Sequence, residues 1–182
     1  MLSGDLSVHL LRSSAKGLSA YEAHLSDYLA EQMALRAGRV VSPAERRSWS
    51  RSIPALRADL MDAGLGDVEV LLEYQLPLTS KRADVVLAGR HPQTGHPSYL
   101  VVELKQWSSS KLSEKDGIVV AQRGGSRERE GAHPCYQAWS YAALLEGFNE
   151  AVYDGNVDLN PCAYLHNYID DGIISHPHYA PR

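Results

Sequence analysis

Glu103 and Lys105 stand two residues apart in VVELKQW (101–107), an otherwise apolar run. Side chains of an extended strand alternate between faces, so this acid and base share one face while Leu100, Val102 and Leu104 take the other. A second acid on a neighbouring strand would turn the ion pair into a polar centre, and RADVVLAG (82–89) offers Asp84. If the connecting loop turns between Gln93 and Thr94, Asp84 lies opposite Glu103, and Arg82 opposite Lys105. If the preceding loop turns between Leu78 and Thr79, Glu73 of VEVLLEYQL (68–76) lies opposite Asp84 in its turn. Directly opposed residues share a face with Cβ atoms about 5 Å apart. A slip of one residue would scatter the set.

Carboxylates stacked across adjacent strands repel one another. A divalent cation between them removes that cost, and a few hard oxygen ligands with open positions suit Mg²⁺ or Mn²⁺ bound jointly with a substrate phosphate. A lysine beside such a site can orient or help to deprotonate an attacking water. Taken alone, Glu-x-Lys reads more readily as a solvated cross-face ion pair; Asp84 on the preceding strand is what favours the chemical reading. Glu73 divides between a site carboxylate and an exposed strand residue. His133 and His166 read as loop or packing residues. Lys81, Arg82, Lys111, Lys115 and Arg123 flank the proposed centre as candidate phosphate contacts.

The elements that would carry these groups follow from periodicity. Leu18, Tyr21, Leu25, Tyr28, Leu29 and Met33 mark a helix from Leu18 to about Ala37. In VSPAERRSW, Ser42, Pro43 and Glu45 occupy the N-cap, N1 and N3 positions of a second helix. That helix carries Trp49, Ile53, Leu56 and Leu60 inward and stops near Gly64, with a kink or break expected at Pro54. Residues 68–76, 82–89 and 98–107 predict three consecutive antiparallel strands, and GIVVAQ (117–122) a fourth. GGSREREG reads as a mobile loop, Pro134 to Tyr153 as a helix, and PCAYLHNYI (161–169) as a closing strand reached by a crossover.

The chain has 182 residues, a net charge of −4 and 44% hydrophobic residues, the profile of one globular domain. The mild acidity argues against a static nucleic-acid coat and leaves room for an enzyme with a local basic groove. Two cysteines without metal-type spacing suit reduced thiols. No signal-peptide pattern or membrane-length apolar run occurs, so a cytoplasmic protein is expected.

Asp84, then Glu103-Leu104-Lys105, then Gln137 and Tyr141 in HPCYQAWSYAALL resemble the PD-(D/E)XK nuclease superfamily. An acid on one strand and Glu-x-Lys on the next is that superfamily's pattern, and the Gln-x-x-x-Tyr helix is the addition of its RecB-type members. ERRSW, LEYQLP, VELKQW and HPxxQAxxY further resemble the nuclease-like domain found ahead of Schlafen-type or related helicase domains in bacterial proteins. The resemblance covers roughly residues 40 to 170. It implies a restriction-endonuclease-like three-layer α/β core, a mixed four- to five-stranded sheet whose antiparallel meander is flanked by helices. Residues 41–170 would form the catalytic core of a single domain, 1–40 an N-terminal helical extension and 171–182 a tail or linker. The implied activity is Mg²⁺- or Mn²⁺-dependent hydrolysis of DNA, or RNA, by in-line water attack. Asp84, Glu103 and the Leu104 carbonyl would hold metal, with Glu45 and Glu73 as further acids. Lys105 would stand beside the nucleophile, and Gln137, Tyr141 and Arg82 would contact nucleic acid. A helicase domain or partner is implied as well. Ala83 precedes Asp84 where the superfamily's literal signature has proline. A non-catalytic module of the same fold is the alternative.

Overall fold

The computed structural model describes residues 8–124 and 126–180. The first seven residues of the expected N-terminal extension, Gly125 of the expected loop and the last two residues of the tail lie outside the described residues. The described chain begins with strand β1 (Leu11–Ser14), a 3-10 turn (Gly17–Tyr21) and helix α1 (Leu25–Ala37). The expected helix from Leu18 is thus two pieces, and α1 ends on Gly38 with φ +61°, a conformation that glycine adopts without strain. Helix α2 (Pro43–Asp62) starts as its sequence requires: the Ser42 hydroxyl accepts the Glu45 N–H at 3.2 Å with Pro43 in the first turn. It runs through Pro54 as one element, so no break occurs there.

The meander follows as β2 (Glu69–Gln75), β3 (Arg82–Arg90) and β4 (Pro97–Leu104). Both hairpins take the expected register. Leu72 pairs with Val85 and Gln75 with Arg82; Val85 pairs with Val102 and Arg90 with Pro97. The short strands β5 (Ser109–Leu112), β6 (Ile118–Gln122) and β7 (Arg129–Ala132) come next, then α3 (Pro134–Phe148), the single turn α4 (Glu150–Tyr153) and β8 (Asp158–Tyr164). The main sheet has the order β1-β2-β3-β4-β8, with β8 parallel to β4 and the other pairings antiparallel.

Other expectations need correction. The N-terminal extension is not purely helical, since β1 forms the outer strand of the sheet, with Arg12 forking onto Glu69 of β2 through two hydrogen bonds of 2.8 Å. GIVVAQ does not join the main sheet: β8 occupies the free side of β4, and β6 instead sits between β5 and β7 in a separate three-stranded sheet. The end of GGSREREG is accordingly strand β7 rather than loop. The last strand also starts earlier than expected, and the tail folds back. Ile174 and Tyr179 pack on the small sheet's core of Trp107, Val119 and Ala121, and the Tyr179 hydroxyl donates to the Ile118 carbonyl at 2.8 Å.

Packing makes three layers. Leu29, Met33, Trp49, Ile53 and Leu56 of α1 and α2 bury Val70, Leu72, Val85, Leu87, Val102 and Leu104. Tyr141, Ala142 and Leu145 of α3 bury Val86 and Val101. The fold is therefore mixed α/β, a five-stranded mixed sheet between helices, with a three-stranded antiparallel sheet appended. Among the described residues no helix is long and apolar enough to cross a membrane. Replacing Ser42 with alanine removes the α2 cap, and we expect a loss of about 1 kcal/mol in urea unfolding without a change in m-value.

Candidate active site

The end of β2, the start of β3 and the end of β4 lie together at one end of the sheet, as antiparallel order demands. The β3–β4 ladder closes with Val85 and Val102, one step short of Asp84 and Glu103. Asp84 takes over where the ladder stops, its carboxylate accepting the Leu104 N–H at 2.8 Å. The C=O of a strand residue points to the same edge as its N–H, which directs the Leu104 carbonyl to the Asp84 side. On the opposite edge Lys105 continues toward β8, donating its N–H to the Tyr164 carbonyl at 2.9 Å.

Glu103 and Lys105 project to the α3 side. One Glu103 oxygen, Oε1, receives both Lys105 Nζ at 2.6 Å and Gln137 Nε2 at 2.7 Å. Gln137 Oε1 accepts Lys105 Nζ at 3.0 Å, and Gln137 Nε2 also reaches the Tyr141 hydroxyl at 3.0 Å. The spacing of four places Gln137 and Tyr141 on one helix face, and Pro134 starts the helix so that Gln137 falls in its opening turns. Glu103 is only 4% exposed, and its second oxygen, Oε2, is buried without a hydrogen-bond partner. Burial raises its pKa, opposed by Lys105 and by a hydrogen bond shared with the Asp84 carboxyl. Asp84 is raised well above the usual carboxylate range, first by burial and then by the negative charges of Glu103 and Glu73.

Glu73 occupies the register position opposite Asp84, but the β2–β3 ladder skips this pair. Its backbone sits at φ +52°, a left-handed conformation unusual for glutamate. The carboxylate accepts the Trp49 indole N–H at 2.6 Å, while Arg82 donates to the Glu73 carbonyl at 2.9 Å. Burial lifts the Glu73 pKa to about 7, against the Trp49 bond, which lowers it. Glu45 is paired with Arg39. Glu45, Glu73, Asp84, Arg39 and Arg82 all line an open cleft of about 1170 Å³ between α2, the β2–β3 turn and the end of β4.

Asp84, Glu103, Lys105, Gln137 and Tyr141 are thus joined by direct contacts or immediate electrostatic influence. Glu45 and Glu73 share the cleft wall with Asp84, each engaged by its own partner. Arg82 pairs with Gln75 on β2 and braces the Glu73 kink, while the β3–β4 ladder ends at Val85 and Val102, before it reaches Arg82 and Lys105. Lys111 and Lys115 are ion-paired with Glu128 and Glu130 on the small sheet. Two contributors escape the sequence reading. Periodicity places Trp49 in the core, yet a buried indole N–H requires an acceptor, and that requirement is a usable signal for Glu73. Gln106 donates to the Ser48 carbonyl and the Ser52 hydroxyl, both at 3.1 Å, tying the strand end to α2; no residue pattern announces that.

The donors present fit a small hard cation in part. Glu103 Oε2, the Asp84 carboxylate and the Leu104 carbonyl are oxygen ligands, and a buried carboxylate oxygen without a partner is a group that a cation would satisfy. Among the described residues no three His, Cys, Asp or Glu side chains gather into a metal cage, so remaining positions would fall to backbone, water or substrate. No protein-family model, curated protein or solved structure matches the chain.

Glu73 sets a pH signature. Its folded pKa of about 7 exceeds the unfolded 4.5, so folding favours its protonated form. The contribution is complete below pH 4.5 and is lost as pH rises through 7, on the order of 3 kcal/mol. Asp84 and Glu103 act in the same direction. We expect the unfolding free energy to fall between about pH 5 and 8, and Glu73→Gln to flatten part of that fall in denaturation curves taken across the range.

Proposed function

We propose that the protein is a Mg²⁺- or Mn²⁺-dependent nuclease of the PD-(D/E)XK type, with DNA a better candidate substrate than RNA. The observation that carries this reading is the Glu103–Lys105–Gln137 ring beside Asp84, with Glu103 Oε2 left buried and unpartnered. Further support comes from element order: helix, three antiparallel strands, then, after the inserted β5–β7 sheet, a helix and a parallel strand, with the acid on β3, Glu-x-Lys at the end of β4 and Gln-x-x-x-Tyr on α3, agree with a restriction-endonuclease-like core.

Asp84, Glu103 Oε2 and the Leu104 carbonyl would hold the cation. When bound, it would make a water nucleophilic near neutral pH and offset charge on the phosphoryl oxygens. The chain's own residues do the rest. Glu103 Oε1 and Gln137 Oε1 hold the Lys105 ammonium from two sides, fixing its direction. From there it can orient a water and stabilise negative charge growing on the phosphorus oxygens. Tyr141 anchors the Gln137 amide and so fixes which of its ends faces Lys105. Both buried acids must lose their protons to ligate, so cation affinity should rise with pH. A helicase domain or partner, acting on the same polymer, belongs to the same proposal, as does a cytoplasmic setting.

A non-catalytic module of the same fold is a second reading, favoured by one observation: Asp84 already gives an oxygen to the Leu104 N–H. Labelled single- and double-stranded DNA and RNA incubated with Mg²⁺, Mn²⁺ or EDTA decide between them. We expect cleavage that EDTA abolishes and that falls on the order of 10²-fold or more in Lys105→Ala and Asp84→Asn, with unfolding still cooperative. Full activity in either variant removes this site from contention. Calorimetry should show Mn²⁺ binding that weakens in Asp84→Asn; folded protein that binds no Mn²⁺, even with nucleic acid present, favours the module.

A further inference from the structure

The turn between β2 and β3 is held more firmly than its exposed position requires. The Leu76 N–H donates to the Lys81 carbonyl at 3.0 Å, and the Gln75 amide donates to the Thr79 and Lys81 carbonyls, clasping the tip at its base. The Lys81 N–H returns to the Thr79 hydroxyl at 3.1 Å. On this clasped tip Leu78 is 88% exposed and sits at φ +53°. A left-handed leucine is strained, and a leucine left in water forgoes the stabilisation of burial. The folded chain bears both costs at one residue without packing in return. Leu78, Thr79 and Ser80 line the same cleft as Asp84, while Lys81 reaches toward α3, its ammonium 5.9 Å from the Tyr141 ring centroid. The turn therefore straddles the end of the sheet, between the cleft and the Tyr141–Gln137–Lys105 contacts.

We propose that this turn is a wedge: Leu78 enters the base stack of a DNA duplex held at the site, and Lys81 takes a phosphate of the same duplex; this rests on the nuclease reading above. Position supports it. Lys81 precedes Asp84 by three residues, about 10 Å of extended chain, or about three base steps of a duplex. A duplex with one phosphate at Asp84 therefore lies against the turn. Charge agrees, since residues 74–83 contain no acid and carry Lys81 and Arg82 side by side. Among the described residues the Lys81 ammonium forms no ion pair, which leaves its charge available to a phosphate. The acids that share the cleft are engaged: Glu45 with Arg39, Glu73 with the Trp49 indole, and Asp84 in the proposed cation site. An apolar tip beside an unpaired ammonium suits a polymer that offers apolar base faces and phosphates together, and leucine is among the side chains that proteins insert between base steps. Insertion also needs a stiff mount, which the Gln75 clasp supplies.

Base unstacking gives a direct test, because 2-aminopurine brightens when it leaves the stack. Short duplexes carrying 2-aminopurine on one strand, and the matching single strands, are titrated with the full chain in Ca²⁺ and again in EDTA. The anisotropy of an end label is recorded in parallel. The expected result is brightening on duplex binding that Leu78→Gly and Leu78→Ala lose and Leu78→Met keeps. Glycine accepts the positive φ, so Leu78→Gly should unfold at a urea concentration no lower than the parent chain, which separates a lost wedge from a damaged fold. Lys81→Ala should weaken binding to all sequences alike and lower the slope of log Kd against log salt by about one. Brightening undiminished in Leu78→Gly overturns the proposal, as do duplex binding without brightening, single strands bound more tightly than duplex, or a salt slope unchanged in Lys81→Ala. Self-association in sedimentation that Leu78→Gly abolishes, without brightening, also overturns it and assigns the tip to a second copy of the chain. Brightening without cleavage under any metal leaves the wedge standing and removes the nuclease reading; cleavage without brightening does the reverse.

Discussion

Where β3 and β4 part after Val85 and Val102, the Leu104 N–H needs an acceptor, and the Asp84 carboxylate supplies it. An unmet backbone donor in a buried sheet is costly, so this bond closes the β3 edge of the last residues of β4, whose other edge the β8 ladder holds as far as Leu104 and Tyr164. The polar groups at that end of the sheet are placed by the two together. With Leu104 held, Glu103 and Lys105 project together toward α3, and Leu104 itself packs toward α1 and α2. The same parting opens the cleft into which Asp84 faces.

Such an arrangement concentrates acid where solvent is scarce. Glu103 and Asp84 are raised by burial, and Glu73 is lifted to about 7 by the same cause. The compensation is unequal. Glu103 has an ammonium and an amide on one oxygen, no N–H donor on the other, and the Asp84 carboxyl as a neighbour with which it can share a proton; Glu73 has an indole N–H; Asp84 has a single backbone donor. A folded chain that retains three such groups at one strand end carries a standing electrostatic penalty, which protons relieve at low pH and a bound cation would relieve at neutral pH.

The hairpin registers are legible because loop length and period-two patterning fix them jointly: turns at Gln93–Thr94 and Leu78–Thr79 suffice to align Asp84 with Glu103 and Glu73 with Asp84. The α2 start is equally plain, since Ser42, Pro43 and Glu45 each answer a backbone demand. What escapes does so for physical reasons. LRSS has no apolar alternation, so β1 is strand only because β2 offers it an edge and Glu69 offers Arg12 a partner. GIVVAQ reads as strand but not as a member of a given sheet; β8 decides that by occupying the free side of β4. Register alone sets Glu73 opposite Asp84, and register cannot foresee a left-handed φ that turns its carboxylate onto Trp49.

Lys105 and Gln106 are neighbours in the chain, yet their side chains fasten to opposite layers, Lys105 to Gln137 of α3 and Gln106 to Ser48 and Ser52 of α2. One peptide unit therefore works as a rivet through the whole sandwich. Sliding of either helical layer along the sheet becomes torsion at that joint, felt directly by the ammonium beside Glu103. Two outer layers that share a fastener cannot drift apart independently, and the geometry of the polar ring is thereby slaved to the alignment of the entire three-layer stack.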